Sequence, residues 1–447
     1  MAVGFEFQSP TLRVLSITAK QEAQLCDLQA RADWAGLKAA ADAIDGNPSY
    51  FGKTTVLSRS AMGWCIVPDG TDVEFVINHI PIESGGATRL AGVMKSVDMT
   101  VERITNLFVR NGRKAVCPYV VRSDDASLFN QFPPFLMKWS LSGDSDVIGF
   151  PQITGGVALE KLRKLFKILA KNTESSDVFL GAEKQPYVAL MGKITTGFKA
   201  KATRDPNWPA HEPSRELRSL ASLVAAYLYR GAATPGAGLG AVKQLWFIMA
   251  RTDFAALFKQ LPNDEQTRYA ARADDWVHYM CGVVMPLVDN RFAGGMDAGG
   301  FLIDRKITDY RELKDDATVQ IDITRRQWLR GMAKGVDVLT AAAHPEKWWD
   351  RADKKMYIDK HGEHRLRGSG ALGDKLDEVV LDNLAGISSN GTMQLPIFEF
   401  RAPGVGANTM SHSAWSDYAV KAYRFLAATN ALKKESPIDE AVVFDLT

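Results

Sequence analysis

The chain has 447 residues, 46% hydrophobic, 24% charged and 9% aromatic, enough apolar material for a large core, which excludes disordered, collagen-like and small disulfide-stapled proteins. Lys and Arg number 54 against 52 Asp and Glu, a net charge of +2 with no concentrated basic stretch, which argues against nucleic acid as the main partner. The longest apolar run, Leu220 to Tyr229, is too short to span a bilayer.

Glu6 sits among the first apolar residues, where a secretory signal would be uncharged, and Cys26, Cys65, Cys117 and Cys281 are too scattered for a zinc knuckle or a close pair. These features predict a reduced protein without a membrane span, cytoplasmic or exported by an injection system that needs no signal peptide. The length favours one body or two.

Period-2 alternation predicts strands at the start of the chain, near 72 to 79, around 147 to 154 and at 395 to 401. Asp69-Gly70 marks a turn before the second, and Pro133-Pro134 a loop before the third. Helical spacing predicts Val157 to Lys171, Ser214 to Tyr229, Ala241 to Leu261, Asp264 to Met285, Thr324 to Ala343 and Ser413 to Leu432, with core stripes such as Leu159, Leu162, Phe166 and Leu169 or Trp415, Tyr418, Ala422 and Leu426. Lys199 to Ser214, Asn290 to Gly300 and Asp359 to Gly373 read as long loops, either lids or plain connections. The expected organisation is a first part of a catalytic sheet with packing helices over 1–261, a mainly helical insertion or lid over 262–395, and a last strand with the C-terminal helix over 396–447.

Three of the four strands carry an acid among strong strand formers. In Gly4-Phe5-Glu6-Phe7-Gln8, alternation sets Phe5 and Phe7 against Glu6 and Gln8. The second strand sets Asp72, Glu74, Val76 and Asn78 against Val73, Phe75 and Ile77, and the last sets Ile397, Glu399 and Arg401 against Phe398 and Phe400. The third carries Gln152 and Thr154 on one side, ahead of two glycines and a helix. Taken singly, each is an ordinary amphipathic strand with a wet face. Glu is depleted from strands, however, and its recurrence as Phe-Glu-Phe, Val-Glu-Phe and Phe-Glu-Phe points to a sheet that gathers carboxylates on one face, a pattern suited to Mg²⁺ and to the phosphates it carries. Arg401 beside Glu399 offers a fixed fork for a phosphate or a substrate carboxylate.

The succession Gly-Phe-Glu-Phe, Trp64 ahead of Asp69-Gly70-Thr71, Val73-Glu74-Phe75-Val76, Pro151-Gln152-Ile153-Thr154 before a Leu-rich helix, and Ile397-Phe398-Glu399-Phe400-Arg401 resembles the amidoligase family of carboxylate-amine ligases. The likeness runs from Glu6 to Arg401 and extends to the variants of that family found among bacterial secreted-toxin proteins. It implies an α+β fold with a mostly antiparallel, glutamine-synthetase-like catalytic sheet backed by helices. It also implies ATP- and Mg²⁺-dependent amide or isopeptide formation through an acyl phosphate, with a protein or peptide carboxylate and an amine donor as substrates. On that basis Glu6, Glu74 and Glu399 hold magnesium and Arg401 serves the reacting anions, while Gln8, Gln152, Thr154, Arg251, Arg365 and Arg367 are candidates for nucleotide contact. One departure stands out: where amidoligases carry a His-x-His pair on the third strand, this chain has Gln152 and Thr154, much weaker ligands for a divalent cation. The alternatives are therefore a sheet whose metal site has decayed into a binding or structural role, and a Cys/His hydrolase or transferase using Cys65 and His79.

Other constellations read more plainly. His361-Gly362-Glu363-His364, on a glycine-rich loop with Arg365 and Arg367, is a solvated basic loop or a flap over nucleotide phosphates. His211-Glu212 precedes Ser214, a helix N-cap with Leu217 as first core residue. Cys65, before Ile66-Val67, reads as a buried structural cysteine. Gly294, Gly295, Gly299 and Gly300 lack the strand context of a dinucleotide fingerprint.

Overall fold

The computed structural model describes residues 2–49, 57–110, 112, 135–140, 146–171, 213–233, 248–250, 254–288, 306–307, 311–312, 323–334, 366–367, 395–401 and 409–431. It is an α+β structure in which every strand pair of known register is antiparallel. In chain order the first half holds β1 (Ala2–Ser16), α1 (Ala19–Ala30), α2 (Trp34–Gly46), β2 (Leu57–Arg59), β3 (Trp64–Asp69), β4 (Asp72–Pro81), α3 (Gly86–Arg110), β5 (Phe135–Trp139) and β6 (Ile148–Gly156). Then come α4 (Leu159–Lys171), α5 (Arg215–Ala233), β7 (Ile248–Ala250), α6 (Phe254–Phe258), α7 (Asn263–Ala271), α8 (Ala273–His278) and α9 (Met285–Val288). The last part holds the two-residue strands β8 (Lys306–Ile307), β9 (Arg311–Glu312), β10 (Ile323–Thr324) and β11 (Leu366–Arg367), with α10 (Arg325–Ala333) after β10, and then β12 (Ile397–Arg401), β13 (Met410–Ser411) and α11 (His412–Ala431).

Two compact units divide the chain. A sheet unit comprises Ala2–Ile153 and Gly406–Arg424, and a helical unit comprises Thr154–Val405 and Phe425–Thr447, with Met1. The sheet unit orders its strands β2-β3-β4-β1-β6, with β5 along the end of β1 and β13 along the start of β6. β3 and β4 form a hairpin through Asp69-Gly70-Thr71, where Gly70 takes the positive φ of 64° that a tight hairpin demands. Phe5, Phe7, Phe75, Ile77 and Trp64 are buried on one face under α3 and the first part of α11. There Phe7 stacks on Trp415 at 4.6 Å, Phe75 meets the same indole at 5.2 Å, and the Trp64 indole donates to Ser96 on α3 at 3.1 Å. Gly149 on β6 faces Trp415 so closely that a Cβ would lie 2.5 Å from its ring. His412 fastens the start of α11, with Nδ1 at 2.6 Å from Asp98 on α3 and Nε2 at 2.8 Å from Asp146 before β6. Asp146 also accepts from the Ser411 hydroxyl.

A register shift between Ser9 and Arg13 ends the regular β1–β4 ladder. Beyond it Leu15 packs with Leu25, Leu37, Ala41, Ile44 and Leu136 under α1 and α2. Arg13 pairs with Asp45 at 2.6 Å, and Lys138 on β5 bridges Asp42 and Asp45, each at 2.7 Å, so ionic contacts close the rim of this small core.

In the helical unit Leu159 and Leu162 of α4 and Leu217 of α5 are buried as their spacing predicts, and Leu165, Leu220 and Val224 are buried with them; the side chains of Phe166 and Leu169 lie outside the description. Ser214 caps α5 by accepting from the Leu217 amide at 2.9 Å, and it donates its own N–H and hydroxyl to Glu265 at 2.8 and 2.5 Å. Two predicted helices are interrupted. The Ala241 to Leu261 stretch contains β7, whose Ile248–Ala250 backbone completes a ladder with Phe398–Phe400, so tertiary pairing overrides an apolar helical pattern. The Asp264 to Met285 stretch breaks at Arg272 (φ −132°, ψ 67°) and passes through a π-helical turn, Tyr279–Val284. That break lets Tyr269 and Trp276 both meet Phe258 edge-on, at 6.1 and 5.5 Å. Among the described residues no helix is long and apolar enough to cross a membrane.

Trp415 is the hub of the sheet unit's core, so Trp415→Ala should cost about 3–5 kcal/mol in urea unfolding. Lys20→Ala, at an exposed position, should stay within about 0.5 kcal/mol of wild type.

Candidate active site

The β1–β4 register puts Gln8 directly opposite Glu74, and Glu6 opposite Val76. Directly opposite residues share a face, so Glu6, Gln8, Glu74 and Val76 lie together on the side turned away from Trp415, and Glu6 and Glu74 are diagonal neighbours about 7–8 Å apart along the backbone. β3 adds Val67 opposite Glu74 and Cys65 opposite Val76. Glu74 is buried, at 4% exposure, while Glu6 and Gln8 are half-buried.

β6 extends this face within the sheet unit. The Ile148 N–H donates to Thr11 Oγ1 at 3.1 Å, which fixes the start of β6 beside Thr11. β5 already occupies residues 12–16 of β1 on the edge away from β4, so β6 runs back along β1 and brings Gln152 abreast of the Glu6–Gln8 stretch. Gly149 faces Trp415, and alternation then sends Gln152, three residues on, to the opposite side with the acids. Gln152 is 7% exposed, and its Oε1 accepts no hydrogen bond from any described residue.

Gln8, opposite Glu74, lies diagonally across from Asp72, the residue that opens β4. Burial raises the Asp72 pKa above the ordinary 3.8, with Arg13 pulling the other way and Asp69 adding to the rise. The folded state therefore favours the protonated form, and its stability falls as pH rises through the raised pKa.

The remaining candidates lie in the helical unit or outside the described residues. Glu399 on β12 is fully buried and opposes Met249 on β7. Thr154, half-buried at the end of β6, lies on the strand beside β12, and the Val157 N–H donates to the Pro396 carbonyl at 3.0 Å where the two strands meet. Arg401 closes β12 and Arg367 lies in β11. Arg251 and Arg365 fall outside the described residues, as do His211 and His361.

Two features escape a reading of the strands one at a time. Cys65 and Val67 belong to the acid-bearing face, a placement implied by alternation through Trp64, Ile66 and Pro68 once the Asp69-Gly70 hairpin is accepted. Cys65 is half-buried in β3 rather than fully enclosed, because this face lies outside the aromatic core. Its partner Val76 lies three residues, roughly 10 Å of strand, before His79, a separation that does not make a thiol–imidazole pair. The Asp98–His412–Asp146 cluster, joined from distant segments, has no local sequence signature.

Among the described residues no three His, Cys, Asp or Glu side chains are gathered closely enough to hold a metal ion. Two carboxylates and the neutral Gln152 amide therefore do not fit a metal held by the protein alone. The face carries the carboxylates of Glu6 and Glu74 and the carboxamides of Gln8 and Gln152, with Val67 and Val76 among them. Comparison of the chain with protein-family models, with curated proteins and with solved structures gives no match.

Asp72→Asn should raise the melting temperature at pH 7, and the gain should shrink as the pH is lowered towards 3.8, where wild-type Asp72 becomes protonated. Thermal melts of both proteins across that range check the sign.

Proposed function

We propose that the chain is an ATP-dependent carboxylate-amine ligase with a glutamine-synthetase-like catalytic sheet, acting on a protein or peptide carboxylate as a bacterial effector. The observation that carries this reading is the shared face of Glu6, Gln8 and Glu74, which matches the acid-bearing strands of the amidoligase resemblance. In this chemistry a carboxylate oxygen attacks the γ-phosphorus of ATP and the bond to the bridging oxygen breaks, leaving ADP and an acyl phosphate. An amine nitrogen then attacks the acyl carbon. The C–N bond forms as the C–O bond to phosphate breaks, and the amine's surplus proton passes to a carboxylate, for which Glu74 is the candidate. Magnesium bound to the nucleotide would supply charge neutralisation at its phosphates, with Glu6 or Glu74 as the carboxylates that would share the ion. Arg401 is the candidate partner of the reacting anions, with Gln8, Thr154, Arg251, Arg365 and Arg367 as candidate nucleotide contacts.

A second reading, a binding or structural protein on the same sheet with ligase chemistry lost, is favoured by Gln152 and Thr154 at the positions of the amidoligase imidazoles. Calorimetric titration of Mg-ATP separates the two. The ligase reading expects binding by wild type that disappears in Glu399→Ala. A folded wild type that gives no heat with Mg-ATP, alone or with candidate carboxylates, sinks it in favour of the second.

A further inference from the structure

We propose that His412 is a pH-sensitive clamp of the sheet unit: as an imidazolium it ties the first turn of α11 both to α3 and to the start of β6, and loss of its proton opens the β6 side. The ring stands between two carboxylates from segments far apart in the chain. Nδ1 lies 2.6 Å from Asp98 Oδ1 on α3, and Nε2 lies 2.8 Å from Asp146 Oδ1 just before β6. An ionised carboxylate only accepts hydrogen bonds, whereas a neutral imidazole has one N–H and one lone pair. A neutral ring would therefore satisfy one carboxylate and set a lone pair against the other. Both contacts are hydrogen bonds only when both nitrogens carry protons, and the two anions stabilise that cation by direct attraction.

The surroundings decide which contact fails when the proton leaves. Asp146 is supplied without the ring, because Oδ1 also accepts the Val147 N–H at 2.8 Å and Oδ2 accepts the Ser411 hydroxyl. Asp98 makes the shorter contact, so the remaining proton stays on Nδ1 and Nε2 turns its lone pair towards Asp146. That side seats β6: the His412 N–H donates to the Val147 carbonyl at 2.9 Å, and Met410 and Ser411 pair with Gly149 and Ile148. The ring also meets Trp415 edge-on at 6.4 Å, next to the indole that holds Phe7 and Phe75. Other charges on the packed elements balance. Lys95 and Glu102, one turn either side of Asp98 on α3, are exposed and opposite in sign, Asp417 pairs with Lys421 on α11 at 3.0 Å, and β6 from Ile148 to Ile153 has no charged residue. The clamp tightens the sheet unit in acid and loosens it in alkali, independently of the ligase reading.

The test is an NMR spectrum of the histidine ring nitrogens of the full chain, with His412 identified by its absence from His412→Asn, together with thermal melts of both proteins from about pH 6 to 9. At pH 7 both His412 ring nitrogens should carry protons, and the Trp415 indole resonance should move as Nε2 loses its proton. The asparagine variant keeps an N–H for Asp98 but cannot titrate. Wild type should therefore melt about 2–4 °C higher at the acid end, and that advantage should shrink towards the alkaline end, since the folded state alone gives the imidazolium its two partners. Asp72 and the other titrating groups are common to both proteins and cancel in the difference. A bare nitrogen on the His412 ring at pH 7 would overturn the inference on wild type alone, even if the variant fails to fold. So would a melting difference that stays constant across the range in a folded variant.

Discussion

The stacking of Phe7 and Phe75 on Trp415 is the contact on which the rest of the sheet unit depends. Side chains alternate along a strand, so burying Phe5, Phe7, Phe75 and Ile77 under α3 and α11 commits Glu6, Gln8 and Glu74 to the other side with no further choice. A slip of one residue in either strand would drive carboxylates into an aromatic core, at a desolvation cost far above anything the slip could gain. The hydrophobic effect fixes the register, and the register assembles the polar face. Gly149 shows how tight the fit is, since the strand can approach Trp415 only where a side chain is missing.

The two units handle polar groups differently. In the sheet unit the ionic groups at the far end of β1 pair with one another: Arg13, Asp42, Asp45 and Lys138 form a chain of close contacts around a small aliphatic core, with Arg13 Nε taking no hydrogen-bond partner among the described residues. The Glu6–Glu74–Gln152 face contains, in Gln152 Oε1, an acceptor the described fold leaves unsatisfied, and Asp72 at its margin has its pKa raised by burial. Surfaces that forgo internal hydrogen bonds in this way sacrifice stability and gain recognition. In the helical unit, aromatic contacts around Phe258 and the capping pair of Ser214 and Glu265 tie short helices together, and irregular turns at Arg272 and Tyr279 aim the rings inward.

Much of this was legible in the residues. Four alternating stretches became β1, β4, β6 and β12, the Asp69-Gly70 turn became a hairpin, Ser214 became a cap, and the helices starting near 157, 214 and 413 formed close to their expected limits. Alternation also placed Glu6 with Gln8, and Glu74 with Val76, on common faces before any pairing was known. Less visible were α1, α2 and the long α3, which the reading of chemistry-bearing motifs passed over. The helical patterns around 248 and 272 failed because backbone pairing to β12 and aromatic packing on Phe258 outweigh local periodicity.

By itself the sequence determined which residues share a face within each strand, because that follows from a two-residue period and needs no partner. It also named the acids and amides on those faces. Only the tertiary structure decided that Gln8 faces Glu74, that β6 runs back along β1 and brings Gln152 to their side, and that His412 joins Asp98 to Asp146. These are contacts between segments far apart in the chain. Their geometry is set by which apolar faces are buried together, and no local pattern carries that information.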